Sequence, residues 1–200
     1  MGVSLAQITG LLLTTKAPIS CIPPSRFGVP VILISGTQNA RDLLIDDLDI
    51  RPAHWPPSNE VHGGTVHRGF ARRTRVLFKR IHKFVHDNNN FVIAGHSMGG
   101  ACGVLMASML HDTSNNVEAV YTFGMPRMSS YEFRKYYKNN GLNDISRHFT
   151  TPKDPVVYRI PYIYDTVGDY EIVPCHNPDE WVQHDMKSYY AVWNPSRPST

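Results

Sequence analysis

The sequence predicts an α/β domain in which a mostly parallel sheet is covered by helices on both faces. Three observations carry this. Short β-branched apolar runs, each closed by Gly, Ser or Pro, alternate with longer segments whose apolar residues recur at helical spacing. The short runs are apolar at consecutive rather than alternate positions, as strands buried on both faces require. The chain's 200 residues, 42% hydrophobic and 18% charged, suffice for one globular domain with a sizeable core. Residues 1–200 are therefore read as one domain, with 194–200 as a flexible tail.

In chain order, the apolar stretch 3–13 is broken by Gln7, Thr9 and Gly10, and no basic residue precedes it. It is a poor secretory signal, and no run approaches the eighteen apolar residues of a membrane span. Residues 29–34 (VPVILI), closed by Ser35-Gly36-Thr37, read as a buried strand. From 70 to 85 a helix is expected: Phe70, Leu77, Ile81 and Phe84 share one face, while Arg72, Arg75, Lys79 and Lys83 take the other. A second strand, 91–94, ends at Gly95, and a helix follows over 101–110. Residues 117–123 form a third strand closed by Gly124, residues 129–138 a helix, and 145–151 a fourth strand before Pro152. Strand and helix alternating in this way build parallel sheets, whose functional groups gather beyond the carboxyl ends of the strands.

Charge and cysteine content narrow the function classes. A net charge of +3 is mild, so no nucleic-acid partner is expected. Three widely spaced cysteines, Cys21, Cys102 and Cys175, match neither a disulfide framework nor a zinc ribbon. Every Asn-x-Ser/Thr sequence is blocked by proline. A reducing, cytoplasmic compartment is the expectation.

The chemistry begins at the end of the second strand. Gly95-His96-Ser97-Met98-Gly99 is a G-x-S-x-G motif with a strand before it and a helix after it. A serine on so sharp a turn needs small neighbours two residues away on each side. The turn lifts its hydroxyl clear and aims a helix N-terminus at the oxygen that becomes anionic. Serine is a weak nucleophile without a base, and the base needs an orienting acid, expected in the order Ser, Asp or Glu, His. Asp154, just beyond the fourth strand, is the best-placed acid, with Asp165 and Asp169 as alternatives in a later loop. Only His176 and His184 follow Asp154. His176 reads better as a surface or packing residue.

These blocks resemble the class 3 lipases, the fungal triacylglycerol lipase type of the α/β-hydrolase superfamily, over residues 31–190. Ile34-Ser35-Gly36-Thr37 with Asp46 resembles the F-R-G-T/S block, and Val66-His67-Arg68-Gly69-Phe70 the V-H-x-G-F block. Residues 95–100 resemble G-H-S-L-G-G with Met98 for leucine, and residues 122–127 the T-F-G-x-P-R block. Asp154-Pro155-Val156 resembles the D-P-V of the triad acid. His184-Asp185-Met186 with Tyr189 resembles the H-D-L-x-x-Y of plant members, and His176 with Glu180 and Trp181 the non-catalytic element upstream.

The resemblance implies a compact α/β-hydrolase fold and a Ser97–Asp154–His184 triad. It also implies an oxyanion hole from Met98 and Thr37, and a lipid ester substrate of triacylglycerol or phospholipid type with no cofactor or metal. Ser35 stands where arginine is usual and Leu43 where tryptophan often is; the segment before the first block is short. A sheet lacking a strand would expose an edge that homo-oligomerisation could cover. Residues 38–64 occupy the place of the family's lid, with Leu43, Leu44 and Trp55 as candidates for contact with substrate or with a membrane or lipid-droplet surface; an ordinary packed helix and loop is the alternative. His82 and His86 are spaced i, i+4 but lack a third ligand, so no metal site is expected. The competing reading from another class is a catalytically silent lipid-binding or scaffolding module that retains the fold.

Overall fold

The computed structural model describes residues 2–36, 49–55, 63–113, 115–159 and 163–195. Its central sheet has six strands: β1 (Ile19–Ile22), β2 (Val31–Ile34), β5 (Phe91–His96), β6 (Val117–Phe123), β7 (Ser146–Thr150) and β8 (Tyr170–Ile172), in that spatial order. β1 runs antiparallel to β2, and every later pairing is parallel. A separate two-stranded sheet joins β3 (Pro52–His54) to β4 (Thr65–His67).

Helices cover both faces, which is why β2 and most of β5 are buried at consecutive positions. On one face lie α3 (Arg68–Arg80), α4 (His82–Asp87), α5 (Met98–Asp112) and α6 (Tyr131–Asn139), packed around Phe70, Leu105, Phe133 and Ile93. On the other, α1 (Leu5–Thr14) and α9 (Met186–Trp193) pack around Ile8, Val31, Phe123, Phe149 and Tyr189. Three short helices complete the described chain: α2 (Pro24–Phe27), α7 (Pro155–Arg159) and α8 (Glu180–His184).

All four strands expected from apolar runs are present. The expected long helix ends early, at Arg80, where Ile81 leaves helical geometry before α4 begins. Of its supposed solvent face, Arg72, Lys79 and Lys83 are exposed, but the Arg75 guanidinium lies over the Trp55 ring, 5.3 Å from its centroid. The stretch 3–13 becomes a helix because Ser4 and Gln7 form a reciprocal capping box at its start. No described helix is long and apolar enough to cross a membrane.

Because β2, β5, β6 and β7 are mutually parallel, their carboxyl ends reach one edge of the sheet. Ser35-Gly36, Ser97, Gly124 and the 151–154 turn all emerge there.

His67 and His148 are both buried in this frame. His67 stacks on Phe70, with ring centroids 4.2 Å apart, and neither ring nitrogen has a hydrogen-bond partner among the described residues. His148 shares a 2.8 Å hydrogen bond between Nδ1 and Thr122 Oγ1, while its Nε2 has no partner among them. Burial holds both rings down at about 4, against an ordinary 6.5. Between those values the unfolded chain takes up protons that the folded rings refuse. The stability they confer is therefore complete above about pH 6.5 and falls as the pH drops towards 4. Urea unfolding should show a lower midpoint at about pH 4.5 than at pH 7, and His148→Gln should narrow that gap.

Candidate active site

The turn after β5 is shaped by how closely three backbone segments approach. A Cβ on Gly95 would lie 2.2 Å from the carbonyl oxygen of Gly99, and one on Gly99 would lie 2.2 Å from that of Ile34. Only glycine fits at either position. Between them Ser97 adopts φ 56° and ψ −130°, a conformation that side chains rarely take and that persists only where the surroundings enforce it. The Ser97 N–H donates to the Phe123 carbonyl at 2.9 Å, tying the turn to β6. Met98 opens α5, so its N–H is one of the free donors of that helix's first turn.

Asp154 and His184 come to this turn from opposite directions in the sequence. Asp154 follows β7 and is fully buried. Its Oδ1 accepts from the Val156 N–H at 2.9 Å, and its Oδ2 accepts from the Tyr189 hydroxyl at 2.5 Å. His184 ends α8, with Nδ1 at 2.8 Å from Asp154 Oδ2 and 2.9 Å from Oδ1. Its Nε2 stands 3.0 Å from Ser97 Oγ. A carboxylate only accepts, so the ring carries its proton on Nδ1 and presents a lone pair to the serine.

Burial would raise the Asp154 carboxyl. The hydrogen bond and charge of His184, together with the Tyr189 hydroxyl, outweigh that and hold it below its ordinary value. The Tyr189 hydroxyl is in turn pushed well above the usual phenol range by burial and by the Asp154 charge. Ser97 and His184 are 3% and 4% exposed, so the line lies in a medium where its electrostatics are strong. A hydroxyl, an imidazole and a carboxylate so aligned can deprotonate the serine and stabilise the resulting imidazolium.

The sequence profile of the family described as Lipase (class 3) matches residues 31–165. The chain belongs to the class 3 lipase family. It is 36% identical over 123 residues to toxin TseL of Vibrio cholerae, covering 59% of this chain and 19% of that protein. Over 103 residues it is 32% identical to the triacylglycerol lipase OBL1 of Arabidopsis thaliana, covering 48% of this chain and 20% of that one. The chain thus matches about a fifth of the length of these curated relatives. The solved structure of Rhizomucor miehei triacylglyceride lipase superposes with TM-score 0.61 at 21% identity, covering 78% of this chain and 61% of that one. The fold is that of an α/β-hydrolase.

In this class 3 lipase family member, Ser97, Asp154 and His184 meet as the sequence predicted. The alternatives stand apart: His176, Asp165 and Asp169 are exposed. Thr37, Leu43, Leu44 and Asp46 lie outside the described residues, although Gly36 brings the chain against Ser97: a Cβ there would lie 2.9 Å from Ser97 Cβ.

Trp55 requires a correction. It is 1% exposed, and its indole N–H donates to Ser108 Oγ on α5 at 2.8 Å, so it is a core residue rather than a surface that meets lipid. Within the stretch 38–64, residues 52–54 are likewise anchored in β3 by pairing with β4. Cys102 is buried on α5, its thiol pushed up to about 11 by burial. No cluster among the described residues could hold a metal ion; His86 Nδ1 sits 3.0 Å from Asp87 Oδ1.

Three participants had no assigned role in the sequence reading: Gly124, Tyr189 and His96. Gly124, at φ +58°, closes β6, and a Cβ there would lie 2.6 Å from Asp154 Oδ2 and 2.9 Å from His184 Nδ1. In the sequence it shows only as the residue that closes the third strand and as the glycine of the T-F-G-x-P-R block. Gly124→Ala should wedge the carboxylate from the imidazole. The wild type should show a far-downfield NMR resonance from the hydrogen-bonded His184 Nδ1 proton, and Gly124→Ala should lose it even if the protein stays folded.

Proposed function

We propose that this chain is a serine carboxylester hydrolase acting on lipid esters through an acyl-enzyme. The observation that carries the reading is the unbroken hydrogen-bonded line from Ser97 Oγ through His184 to Asp154. His184 Nε2 takes the Ser97 proton as Oγ attacks the ester carbonyl carbon. The oxyanion is received by the Met98 N–H at the start of α5 and by Thr37, the second donor the family resemblance implies. Asp154 holds the imidazole in its Nδ1–H tautomer and stabilises the imidazolium. His184 then protonates the departing alkoxide, the acyl group stays on Ser97, and water releases the acid by the same steps in reverse. No metal or organic cofactor enters the scheme.

Neutral glycerides are the first substrates to try, since three relatives bear the name triacylglycerol lipase. Phospholipids belong in the same assay series, because acyl and headgroup choice depends on pocket shape. Contact with a lipid surface is assigned to Leu43 and Leu44 alone, now that Trp55 is accounted for by the core. A second copy of the chain could pair at β8, which bonds only to β7 among the described strands and leaves Ile172 66% exposed. The silent-module reading loses ground to the strained backbone at Ser97, which binding alone does not require.

The wild type should react with a fluorophosphonate and hydrolyse a glyceride or phospholipid series. Ser97→Ala should lose labelling and about six orders of magnitude in kcat. Folded wild type that neither labels nor hydrolyses any member of the series would favour the silent module. Leu43→Ser with Leu44→Ser should impair turnover of emulsified substrate more than that of a soluble short-chain ester; equal losses would remove the lipid-contact role.

A further inference from the structure

His96 sits between Gly95 and Ser97, and the scheme above leaves its side chain unused. Its Nε2 is 2.7 Å from the carbonyl oxygen of His184, 88 residues away in sequence. The two imidazoles are tilted 30° to each other with centroids 4.8 Å apart, and the Tyr189 ring meets His96 edge-on at 6.0 Å. On its other side Nδ1 lies 3.3 Å from where a Cβ on Gly36 would stand. The ring is therefore wedged between the segment that carries the base and the one that leads to Thr37.

The chemistry of the contact sets the tautomer. A carbonyl oxygen can only accept, so the proton of a neutral His96 ring is on Nε2. Burial, with the nearby His184, holds the ring down at about 4, so it is neutral near pH 7.

The partner carbonyl is of a particular kind. His184 is the last residue of α8, a five-residue helix, so its C=O lies beyond the reach of the helix's own hydrogen-bond ladder. The next residue, Asp185, is already extended and caps α9. A base carried at such a junction owes little of its position to the helix. A displacement of the order of 1 Å from productive geometry costs about a hundredfold in rate.

We infer that His96 is a positioning residue for the general base: its Nε2–H clamps the His184 backbone to the elbow that carries the nucleophile. This rests on the hydrolytic reading of Ser97 and His184. Residues 96 and 97 then hold the two ends of one amino acid, the serine hydroxyl facing the His184 ring and the His96 ring bonded to the His184 carbonyl. The distance between nucleophile and base is set locally rather than through the whole domain.

The test compares His96→Leu, which keeps the bulk and removes the donor, with His96→Gln, whose amide can donate in its place. On a soluble short-chain ester, His96→Leu should lower kcat by about 30- to 100-fold with KM changed by less than about twofold. His96→Gln should recover kcat to within about fivefold of wild type. Retention of kcat within about threefold in His96→Leu would overturn the inference, as would a Gln variant no better than Leu.

Should the Leu variant fail to fold, 15N spectra of the wild-type histidines decide the matter. A neutral Nε2–H tautomer of His96 at pH 6 is required, and an Nδ1–H tautomer or an imidazolium would overturn the clamp. Fluorophosphonate labelling separates the two levels of argument. Wild type that does not label sinks the hydrolytic reading itself, whereas wild type and His96→Leu labelling equally fast sink only the clamp.

Discussion

The approach of three backbone segments at the end of β5 is the constraint on which the remainder of the site depends. Strand β5, helix α5 and the end of β2 come so near that a single methyl group at residue 95 or 99 would collide with a main-chain carbonyl. That closeness forces Ser97 into an unfavourable conformation, and the buried surroundings of the elbow keep it there. Burial on both sides of β5 supplies the restraint: α5 is packed along nearly its whole length, and β5 is buried at five of its six positions. The strain is local; the energy that maintains it is distributed over the core.

A second consequence follows from parallel pairing. Strands of one direction deliver their ends to one edge, so the turn after β5, the glycine after β6 and the carboxylate after β7 arrive together although far apart in sequence. A carboxylate buried there alone would be protonated or destabilising. Asp154 stays ionised because every side of it is answered: His184 Nδ1, the Tyr189 hydroxyl and the Val156 N–H. The same bonds set the orientation of the imidazole towards Ser97. The bonds that keep Asp154 ionised are the ones that orient the imidazole, and α9, which brings Tyr189, belongs to the candidate site as much as to the core.

Legibility in the sequence differed by element for physical reasons. Strands β2 and β5 were visible because burial on both faces demands consecutive apolar residues, and the expected strand 117–123 coincides with β6 although Glu118 is exposed. Strand β8 was missed because it is three residues long at the sheet edge, with Glu171 and Ile172 exposed, so it carries no apolar run. The first helix was passed over because its apolar residues surround it instead of forming one stripe. Trp55 was read as a lipid contact from its place in the stretch 38–64; its burial depends on Ser108 and Arg75, distant partners that no local pattern records. Asp154 and His184 were legible through chain order and motif, whereas the bond from His96 to the His184 carbonyl joins a side chain to a backbone atom and has no signature in residue identity.

Sequence alone determined the alternation of strands and helices, the glycines at 95 and 99 that permit the elbow, and the order serine, aspartate, histidine. The first two follow from periodicity and local sterics, properties of neighbouring residues; the third is what the family resemblance implies. Tertiary structure decided which acid and which histidine meet the serine, whether Trp55 is core, and which carbonyl the His96 ring meets. Each of those choices concerns atoms within 3 Å in space but dozens of residues apart along the chain, and only the packed sheet brings them together.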